Sequence, residues 1–182
     1  QWLWIFGTSG LITLTLGAYV ATFQRDMKGV LAYSTVSHLG LITLLLSLNT
    51  PMALVAGVFH IINHATFKAS LFMAAGIVDH ETGTRNLNRL SGLRHVMPST
   101  ATLATIAAAS MAGVPLLNGF ISKEMFFAQT IDATTGRWDH YLLPAIAVIA
   151  GAFSVAYSLR LIMQVFFGPP EFDTLPRRPH EP

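Results

Sequence analysis

Apolar positions along this chain come in long blocks, not in the short alternations of a soluble strand or helix. Residues 2–23 carry no charge at all. At 1.5 Å per residue, that run is long enough for a single helix to cross a ~30 Å hydrocarbon layer. Further blocks cover 29–48, 52–78, 98–132 and 140–167. The fourth is too long for one upright helix and contains Gly113-Val114-Pro115 followed by Asn118-Gly119. Proline removes a backbone donor and clashes with the preceding turn. The pattern therefore predicts either a broken helix, about 98–112 and 117–132, or a simple proline kink. A break at membrane depth is tolerated only where protein or a wet cavity surrounds it. The expected fold is an all-α integral membrane domain over 1–167, with five transmembrane helices, one of them broken. A Pro-rich tail, 168–182, is expected to extend away from the bilayer.

Composition supports this pattern. Of the 182 residues, 52% are hydrophobic and 11% charged, against about 25% charged in an average soluble domain. Mean hydropathy is +0.53. These values exclude a disordered chain, a coiled coil and a nucleic-acid-binding domain, and leave too little charge to coat a soluble globule. With no cysteine, disulfides, thiolate nucleophiles and cysteine metal sites are excluded. The first run lacks a basic leader and an initiator Met, so it does not read as a signal peptide. The chain is expected to be a segment of a longer protein.

Basic residues predict the orientation. Arg25, Lys28, Arg85, Arg89, Arg94, Arg177 and Arg178 fall in loops on one side of a five-crossing arrangement, and Arg137 alone falls on the other. By the positive-inside rule the N-terminus lies outside the cell and the C-terminus in the cytoplasm. Arg160 is expected to snorkel from the inner end of the last helix.

Two basic residues remain, and both lie within apolar blocks. Lys68 and Lys123 sit roughly 13–15 Å from the nearer end of their runs, close to the midplane. An ionised lysine there costs about 2.5–3.5 kcal/mol on insertion scales, which makes each a functional candidate by default. His60, His64 and Lys68 are spaced by four and share one helix face. His38 sits at similar depth in the second run. Histidine changes charge near neutral pH, so such a row can pass protons through hydrogen bonds and water. Ser34, Ser37, Asn63, Thr66, Ser70 and Ser122 are candidates to hold that water. The competing view makes His38 a hydrogen-bonded packing residue. Glu124 either offsets Lys123 or reaches a neighbouring helix. Gly29, Gly40, Gly57, Gly76 and Gly151 are expected to permit close helix packing.

No cofactor or metal site is expected. His60 and His64 have zinc-protease spacing, but the required Glu after the first His is Ile61. A haem between His38 and His60 is disfavoured by the adjacent lysine. No phosphate-loop or dinucleotide fingerprint occurs.

Three segments, QRDMKGVLAYSTVSHLG, FHIINHATFKASLFMAAG and MAGVPLLNGFISKE, resemble the antiporter-like subunits shared by respiratory complex I and Mrp-type cation/proton antiporters. The segments DHETGTRNLNRLSGLRHVMP and SMAGVPLLNGFISKEMFF are more similar to the large A-type subunits of Mrp antiporters. The resemblance implies two inverted five-helix repeats, each with a broken helix, of which this chain matches the second. It implies a polar axis for proton translocation at Lys28, His60, His64, Lys68 and Lys123, with His38 and Glu124 beside it. Many relatives have Gln in place of His38. A cavity would lie at the break (Gly113, Pro115, Asn118, Gly119). The implied cargo is protons and sodium, the implied partners are other membrane subunits of a hetero-oligomeric complex in the cell inner membrane, and no nucleic acid is involved. The glutamate–lysine pair of the first repeat is not in this chain. Two rival roles remain open: a proton-pumping subunit of an NADH:quinone oxidoreductase assembly, and a non-transporting membrane scaffold.

Overall fold

The computed structural model describes residues 2–133, 141–170, 172 and 175–180. Among them the chain forms six α-helices: α1 (Trp2–Phe23), α2 (Met27–Ser47), α3 (Pro51–Thr82), α4 (Pro98–Ala112), α5 (Asn118–Asp132) and α6 (Leu142–Phe166). Helices α1, α2, α3 and α6 are each long and apolar enough to cross a membrane. Helices α4 and α5 have 15 residues each, about 22 Å apiece. Neither is long enough to span a bilayer alone, so the helices long and apolar enough to cross number four among the described residues, against the five expected. The 98–132 run is thus a break and not a kink.

Local chemistry sets the helix ends. Asp26 caps α2 by accepting from the Gly29 amide at 2.9 Å. Thr50 caps α3 through the Ala53 amide, with Pro51 in the first turn, where its missing N–H costs nothing. Helix α3 continues past the apolar run, which ends at Val78, to Thr82 and stops at Gly83 in the left-handed region. At 32 residues it is about 48 Å long, longer than a ~30 Å hydrocarbon layer.

The helices close into a ring. Helix α1 packs along α2, α2 on α3, α3 on α4 and α5, both of these on α6, and α6 on α1. The α1–α2 seam is very close: a Cβ on Gly40 would lie 2.3 Å from the Leu14 nitrogen, so only glycine fits. Gly76, by contrast, has nothing within 4 Å of a built Cβ. The expected packing role therefore does not hold there, because that side of α3 meets no neighbouring helix. Outward residues such as Ile12, Leu16, Val58, Ile62 and Val148 are exposed and apolar, as a lipid-facing surface requires.

One end of the ring gathers the basic loops. Asp26 and Asn86 form an isolated antiparallel bridge, and Arg85 pairs with Asp26 at 2.6 Å. Arg160 does not reach outward; its guanidinium donates to the Thr22 carbonyl and to Gln164, tying α6 to the end of α1. The described tail residues also differ from expectation, since they fold back on α3. The Arg177 amide donates to the Thr82 carbonyl, and His180 meets Glu81 at 2.7 Å. The unpaired carbonyls at the end of α3 and the buried Glu81 carboxylate supply the acceptors that hold it. Arg137 lies outside the described residues.

Candidate functional site

The site begins at the break. Helix α4 ends in a Schellman turn, in which the Gly113 amide donates to Ser110 and the Val114 amide to Ala109. That turn leaves the carbonyls of Met111 and Ala112 without intrahelical partners. Lys123, on α5, donates to the Ala112 carbonyl at 2.9 Å, and Ser154, on α6, donates to the Met111 carbonyl at 3.3 Å. The break thus creates the acceptors that hold a lysine at depth.

Asn118 locks α5 in place. Its side-chain carbonyl accepts from the Ser110 hydroxyl at 2.6 Å, and its amide donates to Asn63 at 2.8 Å. Gly119 touches the Ser110 carbonyl so closely that a built Cβ would lie 1.8 Å from that oxygen. Gly119 is therefore a point of close backbone contact between α4 and α5. Pro115 is exposed, and Leu116 beside it takes φ 77°.

From Lys123 a line of polar groups crosses the bundle. Its ammonium also donates to Ser154 Oγ at 2.9 Å. Tyr157 Oη lies 3.2 Å from Ser154 Oγ and 3.3 Å from His38 Nε2. His38 Nδ1 is 3.0 Å from His60 Nε2, and His60 Nδ1 bonds Ser122 Oγ. Ser122, Ser154, Tyr157, His38 and His60 are all buried. A cavity of about 20 Å³ opens beside Ser37, His38, Lys123, Ser154 and Tyr157, room for roughly one water.

Lys68 has a separate seat of the same design. It donates to the Leu31 carbonyl at 3.0 Å and to Ser34 Oγ. Each lysine is thus held by one backbone carbonyl and one serine hydroxyl. Among the described residues neither pairs with a carboxylate, so no fixed negative charge retains the proton. The ring of His64 lies beside the line, 5.3 Å from His38 and 5.6 Å from Phe67 between centroids. Its Nε2 is buried without a hydrogen-bond partner. Among the described residues, no three His, Cys, Asp or Glu side chains are arranged to hold a metal ion.

Residues 1–154 match the model of a transmembrane family described as NADH:quinone oxidoreductase/Mrp antiporter. The chain belongs to this family.

Its relatives in the NADH:quinone oxidoreductase/Mrp antiporter family include a probable K(+)/H(+) antiporter A/B subunit of Rhizobium meliloti (strain 1021). That protein is 66% identical over 181 residues, which cover 100% of this chain and 18% of the relative. The A1 subunit of a Na(+)/H(+) antiporter of Staphylococcus aureus (strain bovine RF122 / ET3-1) is 42% identical over 99% of this chain and 25% of the relative. Among solved structures, a chain of the Mrp complex from Dietzia sp. DQ12-45-1b superposes with a TM-score of 0.83. Its identity is 43%, and the match covers 95% of this chain and 20% of that one. The chain therefore spans about a fifth to a quarter of the length of these relatives. It is a multi-pass membrane protein of this family.

The fold does not bring all the expected site residues together. His38, His60 and Lys123 share one hydrogen-bonded line, Lys68 and His64 sit next to it, and Lys28 stands apart. Lys28 lies in the first turn of α2 and pairs with Asp79 at 2.7 Å, the two being 39% and 30% exposed. At that exposure the pair is worth at most about 1 kcal/mol. Asp79→Asn is accordingly expected to leave the thermal stability of the assembled protein nearly unchanged, as a melting curve would show. Glu124 is exposed and, among the described residues, makes no ion pair with Lys123. Of the predicted water-holders, Ser34 and Ser122 bond the lysine and histidine directly. Thr66 and Ser70 spend their hydroxyls on their own helix. Two residues of the line, Ser154 and Tyr157, were not anticipated. A signal existed: Ser154, Tyr157 and Ser158 form an i, i+3, i+4 polar stripe in the middle of α6, which carries no other polar residue before Arg160.

Proposed function

We propose that this chain supplies the lysine–histidine path of a subunit of a monovalent cation/proton antiporter, and that it carries protons through the middle of the membrane. One observation supports this above the rest. Lys68, buried, and Lys123, partly buried, have no carboxylate partner among the described residues and flank a buried histidine pair, to which Lys123 is linked through Ser154 and Tyr157. An ammonium at that depth costs several kcal/mol unless it does something, and a scaffold gains nothing from two of them. Like charges in a low dielectric repel, so protonation of one seat bears on the other.

The cargo on this reading is protons and potassium or sodium, the cations in the two relatives' names. The partners are the rest of a hetero-oligomeric membrane complex, and the cell membrane is the location. The gathering of Arg25, Lys28, Arg85 and Arg177 at one end of the ring supports a cytoplasmic assignment for that end. The test is Lys68→Ala in the full-length subunit within its complex, assayed in everted vesicles for dissipation of a proton gradient on adding potassium or sodium. The expected result is a loss of about a hundredfold, the scale on which a positioned proton carrier contributes, with complex assembly retained. Wild-type rates in the assembled variant would refute the reading. A redox-driven pump in a complex I-like assembly is the second reading, favoured by the family's shared description. Co-purification with iron–sulfur subunits would select it.

A further inference from the structure

The lysine-to-histidine link has two members that carry no charge, Ser154 and Tyr157. We propose that Tyr157, with Ser154, relays protons between Lys123 and the His38–His60 pair, and that the orientation of the Tyr157 hydroxyl sets the direction of transfer. This rests on the proton-carrying reading above. The geometry is specific. Lys123 Nζ, Ser154 Oγ, Tyr157 Oη, His38 and His60 follow one another at 2.9, 3.2, 3.3 and 3.0 Å, each within hydrogen-bonding reach. Tyr157 is 1% exposed, and a buried tyrosine hydroxyl ordinarily finds a hydrogen-bond partner. This one has two, a hydroxyl on one side and a ring nitrogen on the other, and only one proton to offer.

That single proton allows two arrangements. In the first, Ser154 turns its hydroxyl proton from the Met111 carbonyl toward Lys123 Nζ and accepts from Tyr157, His38 Nε2–H donates to Tyr157, and His60 Nε2–H donates to His38 Nδ1. A proton arriving at His60 then moves toward Lys123. His60 gives its Nε2 proton to His38 Nδ1, His38 gives its Nε2 proton to Tyr157, Tyr157 gives its own to Ser154, and Ser154 gives its own to a neutral Lys123 amine. Every intermediate atom gains one proton and loses one, and one positive charge passes from His60 to Lys123. In the second, Ser154 donates to Tyr157, Tyr157 donates to His38 Nε2, and His38 Nδ1–H donates to His60 Nε2. A protonated Lys123 then gives one proton to Ser154, and the reverse sequence leaves His60 as the cation. Rotation of the two hydroxyls and a tautomer change at the rings convert one arrangement into the other. No step requires a tyrosinate to persist.

The experiment uses the full-length subunit in its complex, in everted vesicles, with Lys123→Ala as a control. Tyr157→Phe keeps the ring and its packing and removes only the hydroxyl. It is expected to lower proton-coupled transport about tenfold or more while leaving the cation concentration for half-maximal rate unchanged. Fluorotyrosine at position 157 restores the hydroxyl with altered acidity. It is expected to restore transport with a displaced pH profile, which a purely packing role would not produce. If Lys123→Ala transports normally, the underlying proton-carrying reading fails, and the relay with it. If Lys123→Ala is inactive but Tyr157→Phe stays within twofold of wild type, the relay alone is overturned. Should the Phe variant fail to assemble, the fluorotyrosine profile decides, and an undisplaced profile overturns the relay.

Discussion

Lys123→Gln is expected to abolish transport while leaving the complex assembled. Lys123 is held by the Ala112 carbonyl and the Ser154 hydroxyl, both acceptors. A glutamine amide offers donors to the same region but no titratable site, so the hydrogen bonding is largely retained and the proton carrier is lost. Lys123→Ala removes both. The helix break is nonetheless expected to survive, because the turn at Gly113 is held by backbone bonds from Gly113 and Val114. The neighbouring cavity of about 20 Å³ also lets water reach the freed carbonyl. Both variants should lose about a hundredfold in rate or more, measured as cation-induced collapse of a proton gradient in everted vesicles. If glutamine restores what alanine loses, Lys123 is a structural pin and the transport reading is wrong.

Gly119→Ala is expected to be worse for the molecule as a whole. The new Cβ would lie 1.8 Å from the Ser110 carbonyl oxygen, a backbone atom in a helix with no flexible end to move aside. Helix α5 must then shift by more than an ångström, dragging Asn118 off Asn63 and Lys123 off Ala112. Overpacking of this kind costs about 3 kcal/mol or more. The expected readout is little or no assembled complex, or a melting temperature many degrees lower in detergent. Gly76→Ala is the matched control. Gly76 has nothing near a built Cβ, and alanine favours a helix over glycine by roughly 0.5–1 kcal/mol, so that variant should assemble as well as wild type. Equal stability for both variants would contradict the close α4–α5 contact.

Much of the architecture was legible before any coordinates, for plain physical reasons. A bilayer imposes one length scale on apolar runs and forbids unpaired backbone, so five blocks read as five crossings. The Gly113–Pro115 and Asn118–Gly119 pairs read as a break at nearly its observed place. The midplane lysines were conspicuous because charge at depth is costly wherever it occurs. Helix periodicity alone placed His60, His64 and Lys68 on one face.

What the chain could not reveal one-dimensionally was which face meets which. Ser154 and Tyr157 lie more than 110 residues from His38 and look like ordinary polar members of an apolar helix. Only the closing of α6 against α2 and α5 brings them between a lysine and a histidine. For Lys28 the charge pattern and the family resemblance pointed to different places, the loop side and the axis, and only the structure puts it beside Asp79 at the polar end. Sequence carries the preference of each segment for lipid, water or helix, because those preferences are local. Hydrogen-bond partners across helices depend on rotation and register, which are settled by packing over the whole ring, down to whether a backbone can approach at Gly40 and Gly119.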